Sequence, residues 1–582
     1  MIQKMLKLAK YLKKYRKQVI VGPIFKLIEA IFELIVPIIT AKMIDNGVRT
    51  GNVGYVWRMG GIMLLLGVTG LCSALICQKL ASIASQGFGT VVRSELYKHI
   101  NTFSHSEIDR FGTPSLITRM TNDINQLQYA VAMLIRLVIR APFLAVGAII
   151  MAMLVDFPLS VVFLIATPLI ALVLYIIMTR SVPFFRVMQN KLDTISLITR
   201  EGLSGVRVIR AFSKQKSEEE RFNAAADDQT ATAIRVGKLS ALLNPLTYTI
   251  MNFAVIAIVW FGGWRVDSGA MTQGEVIAFV NYMSQTLLAM IVVANLVVTF
   301  TKSSASASRV NEVFDTVSSV PDPAGASVAP VPDTPKIQFE NVSFSYDGPD
   351  KYAVKNLDFS IMPGETVGII GGTGSGKSTL VNLIPRFYDV SSGEILIDGV
   401  NVREYPFSAL RGQIGMVPQE AVLFSGTIES NLRFGYRDAT QEEMEKALKI
   451  AQAYEFVSAM PQGRQSPVNQ GGKNFSGGQK QRLTIARALV GSPRILILDD
   501  SASALDFATD AALRKSIQRE TSGITVLMVS QRASTIRRAD KIIVLDDGEI
   551  AGIGTHEQLM ESCQVYQEIC LSQLSRDEVS KK

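Results

Sequence analysis

The sequence predicts a chain of two parts, an α-helical membrane domain with six spans followed by a soluble α/β domain. The 582 residues are 48% hydrophobic and only 19% charged, which is too apolar for an average soluble protein. Six long apolar segments fall in the first half, and short runs typical of buried strands follow in the second. The length also exceeds that of one ordinary domain, so at least two domains are expected.

The first 17 residues, 1–17, predict a helix that lies on the membrane surface. Ile2, Met5 and Leu6 recur at helical spacing, with lysines such as Lys4 and Lys7 between them. One apolar and one basic face are typical of an interfacial helix, and the alternative is an ordinary charged N-terminus. The segment lacks the apolar core and cleavage site of a secretory signal, so we do not expect its removal.

Residues 18–317 are predicted to form the transmembrane domain. Its six apolar segments each approach the roughly 20 residues that cross a bilayer. They are 19–41, 56–83, 132–154, 158–180, 241–264 and 275–300. The segments around 85–130 and 181–240 are long, polar and rich in Lys and Arg, whereas the other connections are short. Because cytoplasmic segments collect Lys and Arg, we expect these two loops and both termini in the cytoplasm.

A linker and a soluble domain are predicted next. Residues 318–336 are rich in Pro, Ala and Ser, as linkers are. Beyond them, Ile495–Leu498 and Thr525–Val529 have the apolar character of buried parallel strands in an α/β sheet. We place this domain at residues 337–573 and a polar tail at 574–582.

Charge and cysteine content exclude other classes of protein. The formal net charge is +8, but the basic residues are spread through loops beside apolar segments, so we expect no nucleic acid partner. Cys72, Cys77, Cys563 and Cys570 have neither metal-site spacing nor the pattern of a disulfide framework. A cytosolic redox environment follows.

A phosphate-binding loop follows the predicted strand Thr366–Ile370. Its glycines let backbone N–H groups approach phosphates, Lys377 supplies a positive charge, and the Ser378 hydroxyl can bind Mg²⁺. The residues of this predicted loop are Gly371, Gly372, Thr373, Gly374, Ser375, Gly376, Lys377, Ser378 and Thr379.

Two further motifs belong with this loop. Arg494–Asp500 is an apolar strand that ends in two carboxylates, and Asp499 is the expected magnesium-side residue. A Ser-Gly-Gly turn precedes the predicted helix Lys480–Leu489, so backbone N–H groups and a helix N-terminus both face an anion. The residues of the turn are Ser476, Gly477, Gly478 and Gln479.

With these motifs, the whole chain resembles an ABC half-exporter, a six-span membrane domain fused to one α/β P-loop NTPase nucleotide-binding domain. In that family two ATPase domains close head to tail, so the signature turn of one chain completes the phosphate site of the other. The resemblance implies ATP and Mg²⁺ as cofactors and a second half-exporter chain as partner. It also implies adenine stacking by Tyr346, magnesium contacts from Ser378, Gln419 and Asp499, and an interface position for Asp506 in the loop from Ser503.

The membrane half agrees with the resemblance. Phe111 and Gly112, with Arg119 and Asp123, resemble the family's first cytoplasmic loop, and Glu201–Phe212 resembles the second. In the family, short coupling helices in these loops press on the ATPase domains, and Ser306–Phe314 resembles the family's final membrane-domain helix. The alternative is that both loops are simply polar helical hairpins.

Two positions depart from the family pattern. The family has Glu directly after the acidic-strand Asp, to polarise the attacking water, whereas this chain has Asp500, one methylene shorter. The family has His against the γ-phosphate, whereas this chain has Gln531, which can donate a hydrogen bond but carries no charge. General-base catalysis contributes about 10²–10⁴-fold and depends on reach, so slow hydrolysis is expected here.

The pattern resembles the degenerate-site subunit of heterodimeric bacterial multidrug exporters. The resemblance implies an ATP-hydrolysing exporter of hydrophobic or amphipathic compounds in a bacterial plasma membrane, with hydrolysis mainly at the partner's composite site. A homodimer in which Asp500 and Gln531 do the usual jobs is one alternative. Lipid or peptide export, and an ATP-gated channel or sensor, are the others.

Charged residues in the first span are candidate cargo contacts. Lys26, Glu29 and Glu33 fall on one helical face, and the two carboxylates could contact a cationic substrate in a wet cavity. The equal alternative is that Lys26 and Glu29 pair with each other. Weaker candidates are Arg136 and Arg140, and polar residues of the last span that could line a cavity or bridge helices are Asn281, Gln285 and Asn295.

Overall fold

The computed structural model describes residues 2–323, 329–346, 348, 351–501, 504–520 and 523–573. The predicted tail, part of the predicted linker and Ser503 lie outside these residues. Two compact units form the chain: Met1–Asn101 with Thr113–Thr316, and Thr102–Gly112 with Val317–Lys582.

Helices build the first unit. In chain order, with α4 belonging to the second unit, the helices are α1 Ile2–Ala9, α2 Arg16–Met43, α3 Val53–Ile100, α4 His105–Phe111, α5 Thr113–Thr118, α6 Ile124–Arg136, α7 Arg140–Val155, α8 Phe157–Ser204, α9 Val206–Ala211, α10 Gln215–Ala241, α11 Leu243–Asp267 and α12 Gln273–Asp315. A 3₁₀ helix, Lys10–Tyr15, follows α1, and π-helical turns lie at Ile44–Val48 and Arg119–Asp123.

Within the described residues, five helical segments are long and apolar enough to cross a membrane. They are Val53–Ile100, Thr113–Val155, Phe157–Ser204, Gln215–Asp267 and Gln273–Asp315. The first predicted span is also helical, since α2 covers it. It is not among the five because Lys26, Glu29 and Glu33 stand in its middle.

The two predicted cytoplasmic loops are mostly helix, because the helices that carry the spans before them continue into these loops. The helix α3 continues to Ile100 and α8 to Ser204, well past the apolar stretches. Apolar content marks only the part of a helix that suits a bilayer, whereas backbone hydrogen bonds continue through polar sequence. The polar part of α8 packs on α10, where the Lys191 ammonium lies 2.6 Å from the Asp228 carboxylate.

Side-chain contacts close the first unit at its short connections. Asp156 accepts a hydrogen bond from the Leu159 amide at 2.8 Å and so caps α8. The same carboxylate pairs with Arg265 of α11 at 2.6 Å. Farther along, the buried Tyr282 hydroxyl of α12 donates to the Leu34 carbonyl of α2 at 2.7 Å. These bonds join α8 to α11 and α12 to α2.

The second unit holds the strands. They are β1 Ile337–Phe344, β2 Val354–Ile361, β3 Thr366–Gly371, β4 Ser392–Ile397, β5 Val400–Asn401, β6 Ile414–Val417, β7 Gly426–Thr427, β8 Pro467–Val468, β9 Ile495–Asp499, β10 Thr525–Val529, β11 Lys541–Asp546 and β12 Glu549–Gly554. A six-stranded sheet has the order β12-β11-β3-β10-β9-β6, and a four-stranded antiparallel sheet has the order β2-β1-β4-β5. In the larger sheet β11, β3, β10, β9 and β6 are parallel, which confirms the predicted parallel strands.

Helices surround these sheets. They are α13 Lys377–Leu383, α14 Phe407–Gly412, α15 Ile428–Gly435, α16 Gln441–Ile450, α17 Tyr454–Ser458, α18 Gly477–Leu489, α19 Phe507–Glu520, α20 Ala533–Ile536, α21 His556–Ser562 and α22 Gln564–Gln573. In an α/β sheet, ligands bind beyond the carboxyl ends of the parallel strands. The ends of β3, β9 and β10 are therefore where a site is expected.

Candidate nucleotide site

The phosphate-binding loop joins the end of β3 to the start of α13. Gly374 and Gly376 have φ angles of +85° and +91°, which L side chains rarely adopt. A Cβ at Gly376 would also lie 2.6 Å from Val354 and 2.7 Å from the Ala353 carbonyl. Glycine is therefore required there, and the bare backbone leaves room for a phosphate.

Lys377 lies under this loop with only 8% of its surface exposed. Its Nζ donates to the Gly371 carbonyl at 2.9 Å and also to the Gly372 carbonyl. Burial lowers the pKa of Lys377, and the neighbouring Asp500 and Asp499 carboxylates oppose that shift. The ammonium is held at the loop, where it can exchange carbonyl oxygens for phosphate oxygens.

Ser378 and Asp499 form the part of the site that suits a divalent cation. The Ser378 hydroxyl donates to the Asp499 carboxylate at 3.1 Å, and Asp499 is 5% exposed. Burial raises the pKa of Asp499, and the Ser378 hydrogen bond partly counters this. A hydroxyl beside a buried carboxylate fits Mg²⁺, which takes a few protein oxygens and keeps waters and phosphates as its other ligands.

One cleft brings these residues together with most of the other predicted nucleotide-site residues. Its lining includes Tyr346, Thr373, Gly374, Gly376, Lys377, Ser378, Thr379, Gln419, Asp499, Asp500 and Gln531. Tyr346 is half exposed, as a side chain that stacks on a base must be, and its hydroxyl lies 3.1 Å from that of Thr379. The cleft therefore combines an aromatic side chain for a base, a loop for phosphates and a pair of oxygen ligands for a cation.

Asp500 follows β9 in an unusual backbone conformation. Its φ is +43°, and its amide donates to the Val529 carbonyl of β10 at 3.0 Å. Burial raises the pKa of the Asp500 carboxyl, while the Arg532 and Lys377 cations act to lower it. The backbone of Asp500 is thus tied to β10, and the residue lines the cleft.

Gln531 is exposed, and a residue at the end of α22 forms hydrogen bonds with the backbone of its segment. The Gln573 amide nitrogen donates to the Gln531 carbonyl at 2.7 Å, and the Ala533 amide donates to the Gln573 side-chain oxygen at 2.9 Å. Sequence analysis missed Gln573, which is 42 residues from Gln531. Only its place at the end of α22 brings it to this segment.

The signature turn lines a different cleft of the same domain. Ser476 and Gln479 cap α18 reciprocally: the Ser476 amide donates to the Gln479 side chain at 3.0 Å, and the Gln479 amide donates to the Ser476 hydroxyl at 3.3 Å. Gly477 lines its cleft together with Lys480 and Gln419. Asp506 caps α19 by accepting from the Thr509 amide at 2.9 Å, and this bond lowers the pKa of Asp506.

An aromatic chain that the sequence analysis missed leads from the cleft to α4. The Tyr388 ring meets that of Tyr346 edge to face at 5.2 Å, and its hydroxyl donates to the Asp109 carboxylate at 3.0 Å. His105 stacks on Phe387 at 4.4 Å. Because about 280 residues separate α4 from these partners, only the fold could reveal the chain.

The candidate cargo residues of the membrane unit are mostly paired. Lys26 lies 2.6 Å from Glu29, so the pairing alternative is the arrangement in the structure. Arg140 lies 2.6 Å from Glu33, and Gln285 donates to the Glu33 carbonyl at 3.2 Å. The other two candidates, Asn281 and Asn295, are exposed.

The segments that resemble coupling loops contain helical residues and form ion pairs within the membrane unit. Arg119 pairs with Glu312 of α12 at 2.9 Å, and the buried Asp123 accepts from Arg309 at 2.8 Å. Glu201–Phe212 contains the short helix α9. All four cysteines are free thiols.

Comparisons with known proteins cover both units. The ABC transporter transmembrane region family matches residues 19–290, and the ABC transporter family matches residues 354–503. An uncharacterized ABC transporter ATP-binding protein of Mycobacterium tuberculosis is 39% identical over 97% of each chain. A solved structure of a bacterial Atm1-family ABC exporter with ATP bound covers 96% of this chain and 100% of its own, at 25% identity and a TM-score of 0.80.

Two relatives have more specific names. An ATP-dependent lipid A-core flippase of Syntrophus aciditrophicus is 31% identical over 90% of this chain and 87% of its own. A probable multidrug resistance ABC transporter ATP-binding/permease protein of Bacillus subtilis is 30% identical over 97% and 96%. With a membrane region and an ATPase domain fused in one multi-pass chain, this protein belongs to the ABC transporter family and is an ABC half-exporter.

Proposed function

We propose that this chain is the slow-site subunit of a heterodimeric ABC exporter. Its own cleft binds ATP and hydrolyses it slowly, and its intact signature turn completes the fast site of the partner. The observation that carries the proposal is that Asp500 and Gln531 line the same cleft as Lys377, Ser378 and Asp499. The groups for binding are present, whereas the two positions that would act on water and the γ-phosphate are altered.

The reach of Asp500 supports slow turnover. A general base must come within hydrogen-bond distance of the water it activates, about 2.6–3.2 Å. Asp is one methylene shorter than Glu, and the hydrogen bond that the Asp500 amide donates to the Val529 carbonyl ties its backbone to β10. The carboxylate cannot recover the missing length by a backbone shift without breaking that bond.

Binding by this cleft does not need the altered positions. Lys377 and the loop amides hold phosphate oxygens, Tyr346 stacks on the base, and Ser378 and Asp499 hold Mg²⁺, which neutralises phosphate charge when bound. Since a ligand shifts a conformational equilibrium by its differential affinity, ATP retained here favours the closed pair of ATPase domains. Hydrolysis at the partner's site then permits reopening.

We further propose that the exporter moves hydrophobic or amphipathic compounds out of the cytoplasm or the inner leaflet of a bacterial plasma membrane. A lipid flippase and a probable multidrug transporter among its relatives support such cargo. The Lys- and Arg-rich segments around 85–130 and 181–240 favour a cytoplasmic ATPase domain and cytoplasmic termini.

The test is the ATPase rate of the purified pair, formed with a second half-exporter chain. Asp500→Ala should change the rate less than twofold, because little turnover passes through this cleft. Gly477→Asp should abolish most of the activity, because it places a carboxylate where the signature turn meets the partner's phosphates. Asp suits the first turn of a helix, and a Cβ at Gly477 has room, so folding should survive.

A matched control is Gly412→Asp, at a glycine whose added Cβ meets nothing within 4 Å. It should leave the rate unchanged. The opposite ranking of Asp500→Ala and Gly477→Asp would mean that the fast and slow sites are wrongly assigned. Vigorous turnover by this chain alone would favour a homodimer.

A further inference from the structure

Five charged side chains gather inside the membrane unit. Lys26, Glu29 and Glu33 come from α2, Arg136 ends α6, and Arg140 begins α7. Ion pairs join Lys26 to Glu29 at 2.6 Å, Arg140 to Glu33 at 2.6 Å and Arg140 to Glu29 at 3.9 Å. The helix α2 packs against both α6 and α7, which bear the two arginines. We call these five residues the charge cluster.

The charge cluster is not balanced. It contains three cations and two carboxylates, so its net charge is +1. Lys26 and Arg140 already neutralise Glu29 and Glu33, and the two carboxylates are therefore poor partners for a cationic cargo. Charges at membrane depth are costly and normally face a bundle interior or a wet cavity, where they find a counter-charge. The net positive charge of the cluster would be neutralised by a bound anion.

Arg136 is the cation without a counter-charge. Its side chain makes no hydrogen bond or ion pair with another residue in the described part of the chain, and its Nε is buried. Arg140 Nε and Gln285 Oε1 are likewise buried without a hydrogen-bond partner. Buried polar atoms are normally satisfied, so an unpaired guanidinium with a buried, unbonded Nε fits a place that receives a ligand. Arg136 as a whole is only partly buried.

We propose that Arg136 binds the anionic group of an amphipathic cargo, a carboxylate or a phosphate on an apolar body. This rests on the proposed export of amphipathic compounds and names the charge of that cargo. The planar guanidinium matches both anions with paired hydrogen bonds. The positive charge of Lys26 adds to the attraction for an anionic group, and the negative charge of Glu33 reduces it. The apolar helix α7 can contact the apolar body of the cargo. A cationic drug would instead meet a cluster of like net charge.

Binding is tested on the full-length chain in nanodiscs of phosphatidylcholine, without ATP. The probes are dansylaminoundecanoic acid and a dansyl-labelled alkyl trimethylammonium of the same length, which differ in the sign of their charge. The anionic probe should bind about tenfold more tightly. Arg136→Gln should weaken it about tenfold, and Arg136→Lys, which keeps the charge but not the paired hydrogen bonds, should restore only part of the affinity. Glu33→Gln should strengthen it, a gain that misfolding cannot imitate.

The control variant is Arg235→Gln, on the exposed polar surface of α10, which should not change the affinity. Displacement of the probe by added phosphatidylglycerol would support a lipid headgroup as cargo, and the lack of displacement would support a free amphiphile. Equal or tighter binding of the cationic probe would overturn the proposal, as would an unchanged affinity in Arg136→Gln. Because ATP is absent, either result is independent of whether the nucleotide cleft turns over slowly.

Discussion

Asp500 combines a short side chain with a left-handed backbone. Its φ of +43° is one that Asp tolerates better than most residues, because its short polar side chain can bond locally. The cost of longer side chains there is small compared with the gain that a properly placed general base provides. Length, more than conformation, should therefore limit hydrolysis at this residue.

Asp500→Glu should raise the ATPase rate of the purified pair, because this chain's cleft then also hydrolyses ATP. Asp500→Ala should give no such increase. We expect the rate of hydrolysis in this chain's cleft to increase about tenfold or more, because one methylene returns the carboxylate to the water. The matched control is Asp547→Glu, an exposed turn residue that also has φ +43°. An unchanged rate in Asp500→Glu would show that length is not the limit.

His105 makes the α4 contact sensitive to pH. Burial lowers the pKa of His105, as does the Arg411 cation, while Asp109 opposes the shift. An unfolded His takes up a proton near pH 6.5, but the buried ring resists it until lower pH. Stability from this contact is therefore present above pH 6.5 and lost as the pH falls below it.

His105→Gln tests this residue. At pH 7.5 the variant should melt at a lower temperature than the wild type, because the ring stack on Phe387 is lost. At pH 5.5 the difference should shrink, because protonation weakens the wild-type contact while Gln does not titrate. Thermal unfolding monitored at both pH values measures this, and a difference that grows on acidification would contradict it.

At the scale of elements, α4 is tied to the nucleotide cleft through one side chain. Tyr388 touches Tyr346 with its ring and Asp109 with its hydroxyl, so a base stacked on Tyr346 and the helix share a neighbour. Burial raises the pKa of Tyr388, and the Asp109 carboxylate adds to the shift, so the hydroxyl remains a donor. The link is a single hydrogen bond that a single substitution can remove.

Tyr388→Phe should keep the ring contact and remove this bond. We expect ATP affinity to change less than twofold, while stimulation of the ATPase by cargo falls severalfold. The loss of one hydrogen bond should cost about 0.5–1.5 kcal/mol of stability. Tyr405→Phe is the matched control, since the Tyr405 hydroxyl donates to the Ile397 carbonyl at 2.9 Å within the ATPase domain. Equal loss of stimulation in both variants would mean that stability alone is responsible.

The positions of most elements were predictable from sequence, whereas their contacts were not. Apolar runs located the spans and the parallel strands, because burial selects side chains locally. The break between α6 and α7 at residues 137–139 was missed, since the apolar run continues through it. The pairing of Glu33 with Arg140 joins residues 107 apart, and no local pattern carries that distance.

At the scale of the whole molecule, the loop and acidic-strand residues could be found because each motif is short and local. Ser378 and Asp499, 121 residues apart, were assigned to one metal position through the family resemblance, and the fold brings them within 3.1 Å. Tyr388, Asp109 and Gln573 lay beyond such reasoning, because they act as neighbours of the site and belong to no motif.

A single-turnover experiment measures the proposed asymmetry between the two nucleotide sites directly. The purified pair is mixed with labelled ATP at a concentration that just fills both sites, unlabelled ATP is then added to prevent rebinding of label, and the reaction is quenched over time. About half of the bound ATP should be hydrolysed quickly and half retained as ATP, and Lys377→Ala in this chain should remove the retained fraction. Hydrolysis of all bound ATP in one fast phase, or a retained fraction that survives Lys377→Ala, would contradict the account.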